Sequence, residues 1–266
     1  MNRLLILILL GLLGVLSSCG THYRNWQKMD ESQLRKVLES EPENDTAHFC
    51  LGFLLDNLGR FYEAEKEYRE AIRINPNFAE AHNNLGILLS DLGRNDEAER
   101  EFRKTIRINP NFADAHYNLG NLLSDLGRDE EAEKEYREAI RINPDDADAH
   151  NNLGYLLFDL GRNEEAEKEY REAIRINPDY AEAHSNLGIL LSNLGRKDEA
   201  EKEFREAIRI NPDDAEAHGN LGIFLSQSGR NKEALAELEK AVELFEKQGR
   251  NEDAKKARKL LEGLPE

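Results

Sequence analysis

Residues 79–112 read AEAHNNLGILLSDLGRNDEAEREFRKTIRINPNF, and residues 113–146 read ADAHYNLGNLLSDLGRDEEAEKEYREAIRINPDD. The second stretch repeats the first after 34 residues. The same period carries Asn-Pro through Asn75-Pro76, Asn109-Pro110, Asn143-Pro144, Asn177-Pro178 and Asn211-Pro212. Leu-Gly recurs from Leu51-Gly52 to Leu221-Gly222, and Gly-Arg from Gly59-Arg60 to Gly229-Arg230. A fixed period of this length marks stacked two-helix units rather than one closed core. Such an array offers a long, regular surface and no singular place for an active site.

Within residues 79–112, Ala81, Leu85, Leu88, Leu89 and Leu92 recur at helical spacing and predict the apolar face of a first helix. Gly93-Arg94 ends it, since glycine accepts the left-handed backbone. Asn95 is the expected cap of a second helix, with Asp96 and Glu97 at its positive end. Ala98, Phe102, Thr105, Ile106 and Ile108 form that helix's apolar face. Asn109-Pro110 stops it, because a residue before proline avoids helical angles. Gly86 sits inside a helix at a cost of about 1 kcal/mol against alanine, so its recurrence predicts close approach by the facing helix.

This pattern resembles the tetratricopeptide repeat family. The family's Trp-x2-Leu-Gly motif stands here as His82-x2-Leu85-Gly86, and its Ala, aromatic, Ala and Pro positions as Ala98, Phe102, Thr105 and Pro110. The next unit supplies His116, Leu119, Gly120, Ala132, Tyr136, Ala139 and Pro144. The resemblance implies an all-α, right-handed α-solenoid of antiparallel helix pairs. Six units are expected over 45–78, 79–112, 113–146, 147–180, 181–214 and 215–248, with an N-terminal capping half-repeat over 30–44. Residues 249–266 read as the polar C-terminal capping helix a solenoid needs.

The N-terminus reads differently. One arginine, Arg3, precedes the apolar run Leu4 to Leu16. As a helix that run rises only about 20 Å, against a hydrocarbon core of about 30 Å, so it reads as a signal peptide over 1–18. Leu16-Ser17-Ser18-Cys19 resembles the lipobox of bacterial-type lipoproteins, which implies thioether lipidation at Cys19 and cleavage before it. Ordinary secretory cleavage and a retained anchor are the competing readings. Residues 19–29 form a polar tether. Gly20 resembles the default outer-membrane sorting pattern, which places the protein on the outer membrane facing the periplasm in a host with two membranes. Otherwise it belongs on the outer face of the cell membrane.

A net charge of -17 opposes a nucleic-acid partner, which wants a basic face, and favours neutral or basic ones. Two cysteines, Cys19 and Cys50, supply no disulfide framework. His48, His82, His116, His150, His184 and His218 share one repeat position. Neighbours are then about 10 Å apart by helix packing, too far to meet at one metal ion. No metal site, cofactor or catalytic constellation is expected, and the chain does not read as an enzyme. Glu130 with Lys134, and Glu133 with Arg137, read as solvated helix pairs.

The first helices carry the functional reading. None contains Lys or Arg. In the family they line the groove, and members that grip a C-terminal carboxylate use basic residues there, so that mode is disfavoured. A row of amides remains: Asn84, Asn118, Asn152, Asn186 and Asn220, with Cys50 in the first unit. It resembles the asparagine ladder by which family members hold extended peptides, since one amide both donates and accepts. Phe49, Phe53, Tyr117, Tyr155 and Phe158 are expected beside it to take apolar side chains, and Asp125 and Asp159 to make it acidic. The ladder amides are expected to face solvent in the free protein. The resulting expectation is a lipid-anchored, non-catalytic scaffold for an extended, neutral to basic peptide or protein segment. The alternatives are a pilotin-like assembly lipoprotein of a pilus or secretion system and a regulatory subunit of an envelope enzyme.

Overall fold

The structure, a computed structural model, describes residues 28–264. The signal peptide, Cys19 and the tether as far as residue 27 lie outside the described residues. Fourteen helices and no strand occur among those described. They are α1 (Glu31–Ser40), α2 (Asp45–Asn57), α3 (Phe61–Ile74), α4 (Ala79–Asp91), α5 (Asn95–Ile108), α6 (Ala113–Asp125), α7 (Asp129–Ile142), α8 (Ala147–Asp159), α9 (Asn163–Ile176), α10 (Ala181–Asn193), α11 (Lys197–Ile210), α12 (Ala215–Gln227), α13 (Asn231–Lys247) and α14 (Asn251–Glu262). The fold class is all-α, built from helix pairs. Its internal contacts divide it into two units, up to Leu122 and from Leu123.

In the first unit α2 packs on α3 and α4 on α5, with α3 against α4 between pairs. The pairing follows from the sequence. Ala81, Leu85, Leu88 and Leu89 of α4 are buried, as are Ala98, Phe102 and Thr105 of α5. A fully buried Leu or Phe contributes about 1.5–3 kcal/mol. Leu92, assigned by periodicity to the same face, is 42 % exposed, because the helix ends there and the chain turns away. A β-carbon on Gly86 would stand 2.6 Å from the Phe102 ring, so the close approach is that of an aromatic side chain from the same repeat. Gly93 has φ 73°, the left-handed turn expected. Asn95 does not cap α5; Arg94 is the N-cap and no side chain bonds the open amides. The turn has already brought Asn95 into helical geometry. The stop at Asn109 is as the following proline requires. Leu34 of α1 is buried and closes the near end of this unit.

The second unit repeats the scheme through α8–α9, α10–α11 and α12–α13. Its far end is closed by α14, whose Ala254 and Ala257 join Ala241, Leu244 and Phe245 in one apolar cluster with Leu261 against it. The Arg250 guanidinium lies 4.7 Å above the Phe245 ring, a cation–π contact at the last turn.

Two polar devices recur in both units. At the histidine position the imidazole joins its own repeat to the turn that ends the one before. His150 Nδ1 lies 2.6 Å from Glu169 Oε2, and its Nε2 lies 3.3 Å from the Pro144 carbonyl. His48 does the same with Glu67 and Pro42, and His184 with Glu203 and Pro178. Burial pushes these three imidazoles down, but the glutamate bond, the carbonyl and the charge of a second glutamate outweigh it, and all three end above the ordinary histidine value. The Arg of each Gly-Arg pair is the other device. Arg162 reaches Glu133 at 2.6 Å in the preceding second helix and Glu165 at 2.8 Å in its own. Arg60, Arg94, Arg196 and Arg230 repeat the pattern. Glu133 therefore meets both Arg137 and Arg162, and is more than half of a solvated pair.

Candidate interaction surface

The first-helix face of the second unit is built by α8, α10 and α12. Helical spacing sends Leu153, Leu187 and Leu221 into the core and leaves Asn152, Asn186 and Asn220 half-buried at the surface. The amides are not loose. Asn186 Nδ2 donates to Asn151 Oδ1 at 3.1 Å, across to the preceding first helix. Asn151 donates to Asn152 Oδ1 at 3.3 Å and to Glu182 Oε1 at 3.2 Å. Asn220 donates to the Ser185 hydroxyl at 3.2 Å. One amide hydrogen of Asn186 and one of Asn220 is thus spent inside the protein. Each retains a second N–H and its oxygen, since a primary amide has two donors and an acceptor with two lone pairs. The sequence-based expectation of solvent-facing amides is corrected accordingly: these side chains are held before any partner arrives.

Acidic and apolar side chains flank the row. Asp148, Glu182 and Glu216 stand exposed at one repeat position. Shielding from water pushes the Glu182 carboxyl up; the Asn151 bond pulls it part of the way back, and the charges of Asp148 and Glu216 push it up again. Tyr155 is 52 % exposed, and the Asp159 charge beside it raises its hydroxyl. Asp125 and Asp159 are exposed, and Phe158 is half-buried. Between α10 and α12 lies an open depression of about 170 Å³, walled by Ile189, Asn193, Asn220, Ile223 and Gln227. Small-molecule sites usually exceed about 300 Å³, so this one suits a single side chain. On the second-helix side a shallow depression is lined by Arg137, Arg141, His150 and Lys168. Arg137 is bridged to Glu133 and Glu165, and Arg141 to Glu138.

The first unit carries its own version. Asn118 Nδ2 donates to Asn83 Oδ1 at 3.2 Å, and Asn83 to Asn84 Oδ1 at 3.4 Å. Asn84 bonds the Tyr68 hydroxyl, which points to Asp56 Oδ2 at 3.5 Å. Burial pushes the Asp56 carboxyl up to about 6, with the Asp91 charge adding and the Tyr68 bond subtracting. Asp91 is itself raised by burial. Phe53 is 39 % exposed and Ile87 36 %, and both stand at the repeat position of Tyr155.

Phe49, expected beside the row, lies elsewhere. It is 3 % exposed, and its ring packs 5.0 Å from that of Phe78 and 5.9 Å from that of Tyr68. With no polar atom it cannot play the part Asn83 and Asn151 play at the same repeat position, and it fills the core. Tyr117, again at that position, is half-buried. Cys50 is buried, which pushes its thiol up to about 12; it is no member of an exposed row. Sequence reasoning missed Asn83, Asn151 and Ser185. The available signal was their position, 35 residues before Asn118, Asn186 and Asn220.

A stack of helix pairs with a held polar face is the framework of a protein-interaction scaffold. The chain belongs to the tetratricopeptide repeat family: TPR repeat profiles match residues 57–93, 88–127, 120–161 and 154–195, and a tetratricopeptide repeat profile matches 185–249. No curated protein matches it. Among solved structures it is similar to YrrB, described as a TPR protein with an unusual peptide-binding site. The identity is 26 % and the TM-score 0.55, over 72 % of this chain and 97 % of that one. It is similar in fold to Pseudomonas aeruginosa PilF, at 20 % identity and TM-score 0.69, over 80 % of this chain and 96 % of that one. The Cut9–Hcn1 hetero-tetramer of APC/C matches at 18 % identity and TM-score 0.74, over 92 % of this chain and 48 % of that one.

Proposed function

We propose that the protein is a lipid-anchored scaffold that binds an extended, neutral to basic protein segment along its first-helix face. The observation that carries this reading is the held asparagine row on helices free of Lys and Arg. Asn186 and Asn220 are fixed by one bond each, so their remaining donor and acceptor meet a peptide backbone without further loss of side-chain entropy, which is the gain from preorganisation. Carboxylates at one repeat position beside the row favour an incoming cation: Glu182 is raised chiefly by shielding from water and further by the charges of Asp148 and Glu216, and a positive charge offsets both. The depression at Ile189 and Ile223 accepts one apolar side chain of the same segment. Similarity to YrrB at 26 % identity supports a peptide as the ligand. Anchoring rests on the Leu16-Ser17-Ser18-Cys19 motif.

Site-specific photo-crosslinking in membranes tests the binding face. A crosslinker at Tyr155 or Ile223 should capture a segment without net negative charge, and one at Lys134 on α7 should not. Capture only from Lys134 would place the functional surface on the second helices and defeat the proposal. Intact mass tests the anchor: mature protein should begin at Cys19 with acyl chains attached, and an unmodified Cys19 excludes lipidation.

A further inference from the structure

The first repeat departs from its siblings at one turn. After Gly-Arg the other repeats continue Asn95-Asp96, Asp129-Glu130, Asn163-Glu164, Lys197-Asp198 and Asn231-Lys232, whereas the first continues Phe61-Tyr62. These positions open a second helix, where acidic residues are favoured by the helix dipole. An aromatic pair there serves neither the helix nor the core: Phe61 is 43 % exposed and Tyr62 83 %. Leu58, three residues before, is 58 % exposed, against 41–43 % for Leu92, Leu126, Leu160 and Leu194 at its repeat position.

This turn is also where the chain enters the fold. Glu31, the first residue of α1, accepts from Arg60 Nη1 at 2.6 Å. Arg35 of α1 reaches Glu63 at 3.5 Å. The segment before Asp30, the cap of α1, therefore leaves from beside Leu58, Phe61 and Tyr62. From Cys19 to Met29 it spans at most about 40 Å when fully extended. Arg35 and Arg60 are matched by Glu31 and Glu63, so these four residues leave no net charge around the aromatics despite the acidity of the chain.

We infer that Leu58, Phe61 and Tyr62 form a docking edge that rests in the headgroup layer of the membrane to which the chain is tethered. This goes beyond the binding of a protein segment and rests on the anchored reading for its proximity to lipid. Tyr62, a ring with a polar tip, favours that layer, Phe61 and Leu58 add apolar area beside it, and tethering makes a weak contact sufficient by raising its effective concentration. Three side chains are too few for a stable dimer, which buries about 800 Å² per partner.

The test uses the full chain in phosphatidylcholine vesicles. An environment-sensitive fluorophore is placed at Tyr62→Cys, and in a control at Asp198→Cys, the same position of the fifth repeat. Buried Cys50, with its thiol pushed up to about 12, is protected from the reagent. Expected is a blue shift of the Tyr62 label on vesicle incorporation, with quenching by nitroxide-bearing lipid several-fold stronger than at position 198. Phe61→Asn, the residue three other repeats carry, should reduce both. Equal quenching at the two positions overturns the inference. So does a blue shift already complete without vesicles, which would mean that the chain's own N-terminal segment or a second copy covers the edge. Should mass analysis find Cys19 without acyl chains, the anchored reading falls, and a Cys19→Ser chain labelled only at Tyr62→Cys is titrated with vesicles. Partition weakened by Phe61→Asn then upholds the edge, and no partition overturns it.

Discussion

Asn186→Ala removes the 3.1 Å bond from its amide to Asn151 Oδ1. A neutral hydrogen bond is worth about 0.5–1.5 kcal/mol net, while a buried acceptor left without its donor costs about 1–3 kcal/mol. The second figure applies, because Asn151 is 0 % exposed and water cannot take the missing place. Asn186→Ala should therefore destabilise the array by about 1–3 kcal/mol. Asn151→Ala should cost at least as much, since it also removes the donor to Asn152 and Glu182. In the double variant no orphan remains on this bond, so the two losses should fall short of their sum by about 1 kcal/mol. Urea unfolding followed by circular dichroism measures all three, compared by midpoint because repeat arrays need not unfold in one step. An Asn186→Ala variant as stable as the parent, or strictly additive losses, would refute the claim that the row is held by the protein rather than waiting in solvent.

Stability should be greatest on the acid side of neutrality. His48, His150 and His184 have raised values in the fold, so their contribution is fully present below the unfolded histidine value near 6.5 and fades as pH rises through the folded one. Asp56, raised to about 6, acts in the same direction: its ionisation between about 4 and 6 weakens the fold. Burial pushes Glu65, Glu133 and Glu167 up, but their paired arginines outweigh it, and Arg230 with Arg205 does the same for Glu201; all four end below the ordinary value, and stability from them is lost as pH falls below about 4.5. Thermal midpoints across pH 4–9 check this, and a midpoint that climbs steadily from pH 6 to 9 would contradict it. Two glycines of one repeat should fail for different reasons. Gly188→Ala gains about 1 kcal/mol of helix propensity but sets a β-carbon 2.8 Å from the Phe204 ring, an overpacking of about 1–3 kcal/mol, so it should destabilise or at best be neutral. Gly195→Ala meets nothing within 4 Å but has φ +75°, and should cost about 1–2 kcal/mol from backbone alone. Chemical denaturation of each variant, with Gly195→Asn expected to recover part of the second loss, separates the two causes.

The repeat made the helices legible because its signals are local: apolar spacing, a glycine at the turn, a proline after the stop. Contacts between repeats were harder to read. Arg60 and its equivalents look like surface residues until the fold places a glutamate from 29 residues earlier beside them. The asparagine row was visible as a pattern, but its state was not, since whether Asn118 is free or held depends on Asn83, which lies 35 positions back on a neighbouring helix. Phe49 was misplaced because an aromatic residue at a variable position reads equally well as surface or core. Phe78 and Tyr68 decided it by closing over the ring.

The spacing of these bonds has a consequence for the gene. His to Glu reaches 19 residues along the chain, Arg to Glu 29, and Asn to its partner 35. No bond of these three kinds looks beyond the adjoining repeat. A coding sequence that gained or lost one block of 34 codons by unequal recombination would find the histidine and arginine clasps remade at the new junction, with neighbours of the right kind already in place. The length of the array can drift in whole steps while its chemistry stays constant. The position that holds Phe49, Asn83, Tyr117, Asn151, Ser185 and Gly219 is the exception, a single letter per block that decides whether the asparagine of the next repeat is held.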